Sequence, residues 1–335
     1  MNHQIMHRQT VRLGALALAA GTVLLAGCTV PGAADPTPSA SAAASFPVSI
    51  DNCGTTVTVK KAPERIVTIK SSTTELLLAL GLGDRIVGSA FLDGPLPPSL
   101  APAGKALNVI SDFLPGQEAV LGLTPDFIYG GWESNFSADG VGERDRLAGL
   151  GIGSYVSPAA CKASAYMPDP LTFESVFDEI TDAGALFGAT DAAAKLVAEQ
   201  RDDLAALDPA KGTTTALWYS SGTDSPYVGA GIGSPAMIMA AAGLTNIFAD
   251  VHDTWTPVGW ESIVAADPDV IVLVDASWNT AASKIATLES NPATQGLTAV
   301  KNKRYVILPF AATEAGIRNV EAAASAIDQL AEFGR

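Results

Sequence analysis

Histidine is nearly missing from this chain. Three occur in 335 residues, and His3 and His7 fall in an N-terminal stretch with the features of a cleaved leader, which leaves His252. A receptor for bare zinc or manganese built on clustered histidines is excluded on supply. A serine hydrolase would have to rest on His252 alone, and no Gly-x-Ser-x-Gly elbow is present. Cysteine is equally scarce, at three, too few for a structural metal site. Positive charge is short as well. Twenty Lys and Arg face 35 Asp and Glu, a formal net charge of −15, which argues against nucleic acid or an anionic membrane surface as partner. These absences point away from an enzyme and call for no resident cofactor and no metal.

Long apolar runs are also absent, with one exception. Leu13–Ala26 follows the basic Arg8 and Arg12 and is too short to span a bilayer. It ends Leu24-Leu25-Ala26-Gly27-Cys28, which resembles the lipobox of bacterial lipoproteins, where the cysteine becomes the acylated first residue. Residues 1–27 are therefore expected to be a lipoprotein signal peptide and Cys28 the lipidation site. Residues 28–45, rich in Ala, Pro, Ser and Thr, lack the branched and aromatic residues of a core and form a flexible tether. The expected location is extracytoplasmic, with lipid on Cys28 as the anchor to the cell membrane. Removing Cys28 leaves Cys53 and Cys161 in an oxidising compartment. A disulfide between them is the simple reading, and two free buried thiols the alternative.

What the chain does have, it has twice. Gln117-Glu118-Ala119-Val120-Leu121-Gly122-Leu123-Thr124-Pro125-Asp126-Phe127-Ile128 returns as Trp260-Glu261-Ser262-Ile263-Val264-Ala265-Ala266-Asp267-Pro268-Asp269-Val270-Ile271. Each copy predicts a short helix with an acid in its first turn, a proline stop, and an aspartate leading into a buried strand. A second echo joins the apolar helices around 75–82 and 236–244, each closed by glycine. Two successive α/β lobes follow, at 46–168 and 209–335, with one long helix over 169–208 between them, dented at Gly184 and Gly188 and with a second segment recapped at Asp191 as the alternative. An edge hairpin is expected over 46–60 and a last helix over 314–333.

Pro63-Glu64-Arg65-Ile66-Val67, Thr74-Glu75-Leu76 with Leu80-Gly81-Leu82-Gly83-Asp84-Arg85-Ile86, the two Glu…Pro-Asp copies and Ala299-Val300-Lys301-Asn302 together resemble the iron-chelate and cobalamin class of ABC-importer substrate-binding proteins. The resemblance runs from about residue 46 to the C-terminus. It implies the class III periplasmic-binding-protein fold, two Rossmann-like lobes bridged by a long α-helix, with a small-molecule ligand between them. It also implies a monomer whose Glu118 and Glu261 dock with an ABC permease and its ATPase. From the residues alone, each glutamate is a helix-dipole acid, and its duplication at matched positions is what favours the docking role. A narrower similarity rests on Asp51-Asn52-Cys53-Gly54, Lys70-Ser71-Ser72-Thr73-Thr74-Glu75, Ser157-Pro158-Ala159-Ala160-Cys161, Gly229-Ala230-Gly231-Ile232-Gly233 and Ala312-Thr313-Glu314-Ala315-Gly316. It is to an actinobacterial lipoprotein subfamily assigned to the deazaflavin coenzyme precursor F(420)-0, with a ferric siderophore or cobalamin-type chelate as the alternative ligand.

In parallel α/β lobes ligands meet the carboxyl ends of strands. That rule selects Lys70, Ser71, Ser72 and Thr73 as an anion niche, with plain N-capping as the alternative. It selects Trp132, Trp218 and Trp278 as stacking rings, with Tyr219 and Tyr227 close by in sequence and Trp255 in the loop before the second repeat, and one or two of these rings are expected in the core. Arg318 is a candidate second cation or a solvated helix arginine. Gly229–Ser234 is glycine-rich but carries Ser234 where a dinucleotide fingerprint has its third glycine.

Overall fold

A computed structural model describes residues 45–209 and 211–333. The leader, Cys28 and all of the expected tether except Ser45 lie outside the described residues. Among the described residues no helix is long and apolar enough to cross a membrane.

The first part opens with a hairpin, β1 (Val48–Asn52) and β2 (Thr55–Val59), joined by Cys53 and Gly54. Both turn residues have positive φ, 52° and 80°, as a two-residue hairpin with right-handed twist requires. There follow β3 (Ile66–Ile69), α1 (Ser71–Ala79), β4 (Ile86–Ala90), β5 (Val109–Ser111), α2 (Gln117–Leu121), β6 (Phe127–Gly130), α3 (Arg144–Gly149) and β7 (Gly153–Val156). Their sheet is parallel throughout, in the order β5-β4-β3-β6-β7. Side chains alternate across it: Ile66, Phe127 and Tyr129 enter one core cluster, Val67, Ile69 and Ile128 the other. Both faces are covered, so the strands are apolar on both sides.

Next come α4 (Phe173–Phe187) and α5 (Thr190–Ala205). The single helix expected over 169–208 is thus two. Gly188, left-handed at φ 70°, closes α4, and α5 packs back so tightly that a Cβ on Gly184 would lie 2.4 Å from that of Ala193. Ala193 and Val197 of α5 belong to the core of the first sheet, whereas Leu207, just beyond it, packs on the core of the second.

The second part holds β8 (Thr214–Ser221), β9 (Tyr227–Gly229), α6 (Ser234–Ala241), β10 (Leu244–Asn246), β11 (Trp255–Pro257), α7 (Trp260–Ala266), β12 (Val270–Asp275), α8 (Ala281–Ser290), α9 (Thr298–Lys301), β13 (Tyr305–Pro309) and α10 (Asn319–Glu332). Its sheet runs β11-β9-β8-β12-β13, with β10 also on β8. Strands β8, β12 and β13 are parallel, while β9 and β11 extend the sheet antiparallel. The last helix begins at Asn319, not at 314. Asn319 bonds its side chain to Gly316 N, Ala312 O and Glu314 O, and so holds 312–316 as a loop.

The repeated Pro-Asp has a mechanical explanation. Asp126 accepts the backbone N–H groups of Glu64 and Arg65 at 2.8 and 2.9 Å, just ahead of β3. Asp269 accepts Thr215 N at 2.9 Å, at the start of β8. In each part an aspartate therefore pins the amino ends of two central neighbours, β3 with β6 and β8 with β12, and fixes their register.

Candidate functional site

The carboxyl ends of both sheets border one cavity of about 640 Å³. The exits of β6 and β7 contribute Trp132, Ser134 and Ser157. The end of β8 contributes Ser220 and Ser221, and the loop after β13 contributes Phe310 and Glu314. Tyr227 of β9, Trp255 of β11 and Trp278 beyond β12 complete an aromatic wall. Trp278 is 64% exposed and packs edge-on against Phe310 at 5.9 Å between centroids. Among the lining residues the charged ones are Lys162, Asp253 and Glu314. Ser220 Oγ is buried without a hydrogen-bond partner, and such a group is satisfied by a water or by a ligand.

The anion niche expected over Lys70–Thr73 is not formed. Lys70 is fully buried and ion-paired with Asp93. Its ammonium lies 3.8, 4.3 and 4.8 Å from the ring centroids of Trp132, Phe91 and Phe310, a cage of cation–π contacts. Ser71 Oγ accepts Asp93 N, and Asp93 in turn accepts Ser71 N, so the first turn of α1 already has its anion. Thr73 spends its hydroxyl on Ile69 O and Lys70 O. Of the four, Ser72 alone lines the cavity. Gly131 is required beside this cage, since a Cβ there would lie 2.8 Å from Lys70 Cβ.

Two of the expected rings are also elsewhere. Strand β8 runs on to Ser221, so Trp218 and Tyr219 are inside the strand and not at its exit. Trp218 enters the core on one face and Tyr219 the core on the other. Arg318 does not line the cavity; it pairs with Glu75 at 3.6 Å and Glu321 at 3.7 Å. Trp132, Tyr227, Trp255 and Trp278 are the ring positions that the fold brings together. Sequence reasoning missed Glu314, Phe310, Ser157 and the pair Ser220-Ser221. The one available signal was Gly316, which falls in the first turn of the helix expected from 314 and weakens it there.

Contacts across the cleft fix the spacing of the sheets. Trp132 Nε1 donates to Glu314 Oε2 at 2.8 Å, Leu171 N donates to Ile232 O at 2.9 Å, and Glu75 meets Arg318. Burial holds the Glu314 carboxyl above its ordinary range, although the Lys70 charge pulls it back. Glu118 and Glu261 are both exposed, in the first turns of α2 and α7. Each helix precedes a parallel strand and runs against it, so both acids are at the carboxyl-end side of their sheets. Cys53 and Cys161 form a disulfide with Cα atoms 5.3 Å apart, and Cys161 also borders the cavity.

Two buried carboxyls give the folded protein a pH signature. Glu179 accepts Tyr129 Oη at 2.5 Å and Ser157 Oγ at 3.0 Å, yet burial pushes it up to about 7. Burial also pushes Glu75 up to about 7, against the pull of Arg318. Between the ordinary carboxyl range and pH 7 the folded state retains protons that the unfolded chain has released, so stability must fall as pH rises through that window. Each group contributes a total change on the order of 3 kcal/mol across this window. Thermal melts from pH 5 to 8 should show a declining midpoint, shallower in Glu179→Gln. A midpoint that is flat or rises with pH would contradict it.

The periplasmic binding protein family profile matches residues 66–312. The chain is 28% identical, over 94% of both chains, to the uncharacterized ABC transporter substrate-binding lipoprotein YvrC of Bacillus subtilis. It is 31% identical to a cobalamin-binding protein of Halobacterium salinarum, across 80% of this chain and 69% of that one. Among solved structures it is similar to an ABC-type Fe3+-hydroxamate transport system protein of Saccharomonospora viridis. There the TM-score is 0.73 at 27% identity, covering 85% of this chain and 99% of that one.

Proposed function

The chain belongs to the periplasmic binding protein family, and from that premise we propose that it is the extracytoplasmic receptor of an ABC importer, capturing a ring-bearing organic ligand of metal-chelate or corrinoid type. The observation that carries this is the cavity between the two sheets, walled by Trp132, Tyr227, Trp255, Trp278 and Phe310. Its size falls within the range of small-molecule sites. Its aromatic faces suit a rigid, extended ligand, and its serine hydroxyls suit a ligand with hydrogen-bonding groups on its periphery. A metal would arrive inside its organic shell as cargo, consistent with the lack of clustered metal-binding side chains among the described residues. Cobalamin and ferric hydroxamate, named for the relatives, are the probes to try first. The receptor acts as a monomer held by lipid on Cys28 and turns nothing over.

F(420)-0 is the second reading. The aromatic wall serves a deazaflavin ring equally well, and the amino end of α6, with Gly233 and Ser234 on the cavity, offers backbone N–H groups to a phosphodiester. Lys70, already paired with Asp93, lends it no support. Native mass spectrometry of the leaderless protein with its eluted ligand, followed by tryptophan quenching with cyanocobalamin, a ferric hydroxamate and F(420)-0, decides between the two. Tight binding of the deazaflavin with indifference to the chelates would put F(420)-0 first.

Delivery is assigned to Glu118 and Glu261, exposed and matched in the two parts. Charges on a docking surface govern association with a partner more than events in a remote pocket. Reversing both to Lys should abolish uptake in cells while the affinity for ligand stays within about twofold. Normal transport by the double variant would remove the docking assignment.

A further inference from the structure

We infer that the ligand carries a cationic group, received at the cavity by Glu314 and the aromatic rings beside it. This rests on the cavity being the ligand site and narrows the chemistry of what enters it.

The charges around the cavity are unbalanced. Glu314 and Asp253 line it against a single cation, Lys162. Lys70, the nearest candidate to neutralise Glu314, pairs with Asp93 instead. Among the described residues no cation comes within ion-pairing distance, 4.0 Å, of Glu314. The carboxylate has one hydrogen bond, from Trp132 Nε1 to Oε2, and among the described residues Oε1 has no protein donor. A partly desolvated carboxylate with so little support gains from a charge-assisted bond, and its raised pKa has the same cause.

The rings point the same way. Trp132 and Phe310 already hold one cation, the Lys70 ammonium. Among the described residues, Tyr227, Trp255 and Trp278 hold none. Aromatic faces combined with a carboxylate are the elements from which proteins build sites for organic cations. The opposing feature is the α6 amino end, which favours an anion. It is a partial charge, however, shared among N–H groups, whereas a cation at Glu314 favours the ionised carboxylate and meets a full charge.

Two xanthene dyes of opposite charge test this without knowledge of the natural ligand: rhodamine 123, a cation, and fluorescein, an anion at neutral pH. Titration is followed by fluorescence anisotropy in 0.15 M salt, where surface attraction from the net charge of −15 is screened beyond about 8 Å. The wild-type protein should bind rhodamine at least tenfold more tightly than fluorescein, and this comparison needs no variant. Glu314→Gln should erase most of that preference. Asp202→Asn, which removes an equal charge from the exposed surface of α5, should leave it intact. Equal affinities, a preference for fluorescein, or no rhodamine binding would each overturn the inference. A preference unchanged in Glu314→Gln would overturn the role of that residue. None of these outcomes touches the receptor assignment, which stands or falls on uptake.

Discussion

Lys70→Met should lower folding stability by about 3–5 kcal/mol, the usual loss when one member of a buried ion pair is removed. The side chain is fully buried with Asp93, and three aromatic rings enclose its ammonium. Methionine keeps most of the volume, so the loss is electrostatic: Asp93 keeps the Ser71 N–H but loses its counter-charge, where burial already raises its carboxyl. Asp93→Asn should be similarly damaging, because the ammonium is then stranded among rings. The double variant is the informative one. With both charges gone the rings close on an apolar side chain, and the combined loss should be well below the sum of the singles. Urea titrations at constant slope provide the measurement. A loss below about 1 kcal/mol for Lys70→Met would mean that the pair is solvated and the cage open.

Replacing Cys53 and Cys161 by serine should remove about 2–4 kcal/mol, since the bond closes a loop of 108 residues in the unfolded chain. The folded lobe should survive the change. Asn52, next to the cysteine, bonds Val156 in both directions at 2.8 Å, and Arg144 reaches Asn52 O at 2.8 Å. The hairpin thus stays on the edge of β7 by hydrogen bonds while the cross-link acts on the denatured ensemble. Two alkylatable thiols in the unreduced, denatured protein would contradict the bond itself. A loss of the whole first lobe in the serine variant would contradict the division of labour.

Strands β5, β9 and β11, three residues each, are too short to show a period, whereas the longer strands and helices were readable because they depend on period and punctuation, which are local. The duplicated Glu…Pro-Asp stretch was readable for the same reason. The cleft was less so. Ser220-Ser221-Gly222-Thr223 has the composition of a loop, yet its first two residues complete β8, and that shift of two carries Trp218 and Tyr219 from the strand exit into the core. Lys70 at a strand end invites an anion only if nothing has claimed it, and the claimant, Asp93, is 23 residues away, beyond α1 and β4. The helical period of 172–207 continues on both sides of Gly188, so periodicity alone did not show that the axis turns there. The first two failures are long-range contacts overriding a local preference, whereas the third is a local left-handed cap at Gly188.

The two aspartates that pin the sheets, Asp126 and Asp269, lie at the amino ends of the central strands, whereas the cavity is bordered by the opposite ends of β6, β7, β8 and β13. The strands between them act as spacers of fixed length. Substitutions at the cavity end therefore change what is bound without loosening the register set at the other. For the same reason, a chain of this kind announces its architecture more plainly than its cargo. It also makes the scaffold a practical starting point for reassigning specificity: Glu314, Trp255 and Trp278 can be varied together while Asp126 and Asp269 continue to align the strands beneath them.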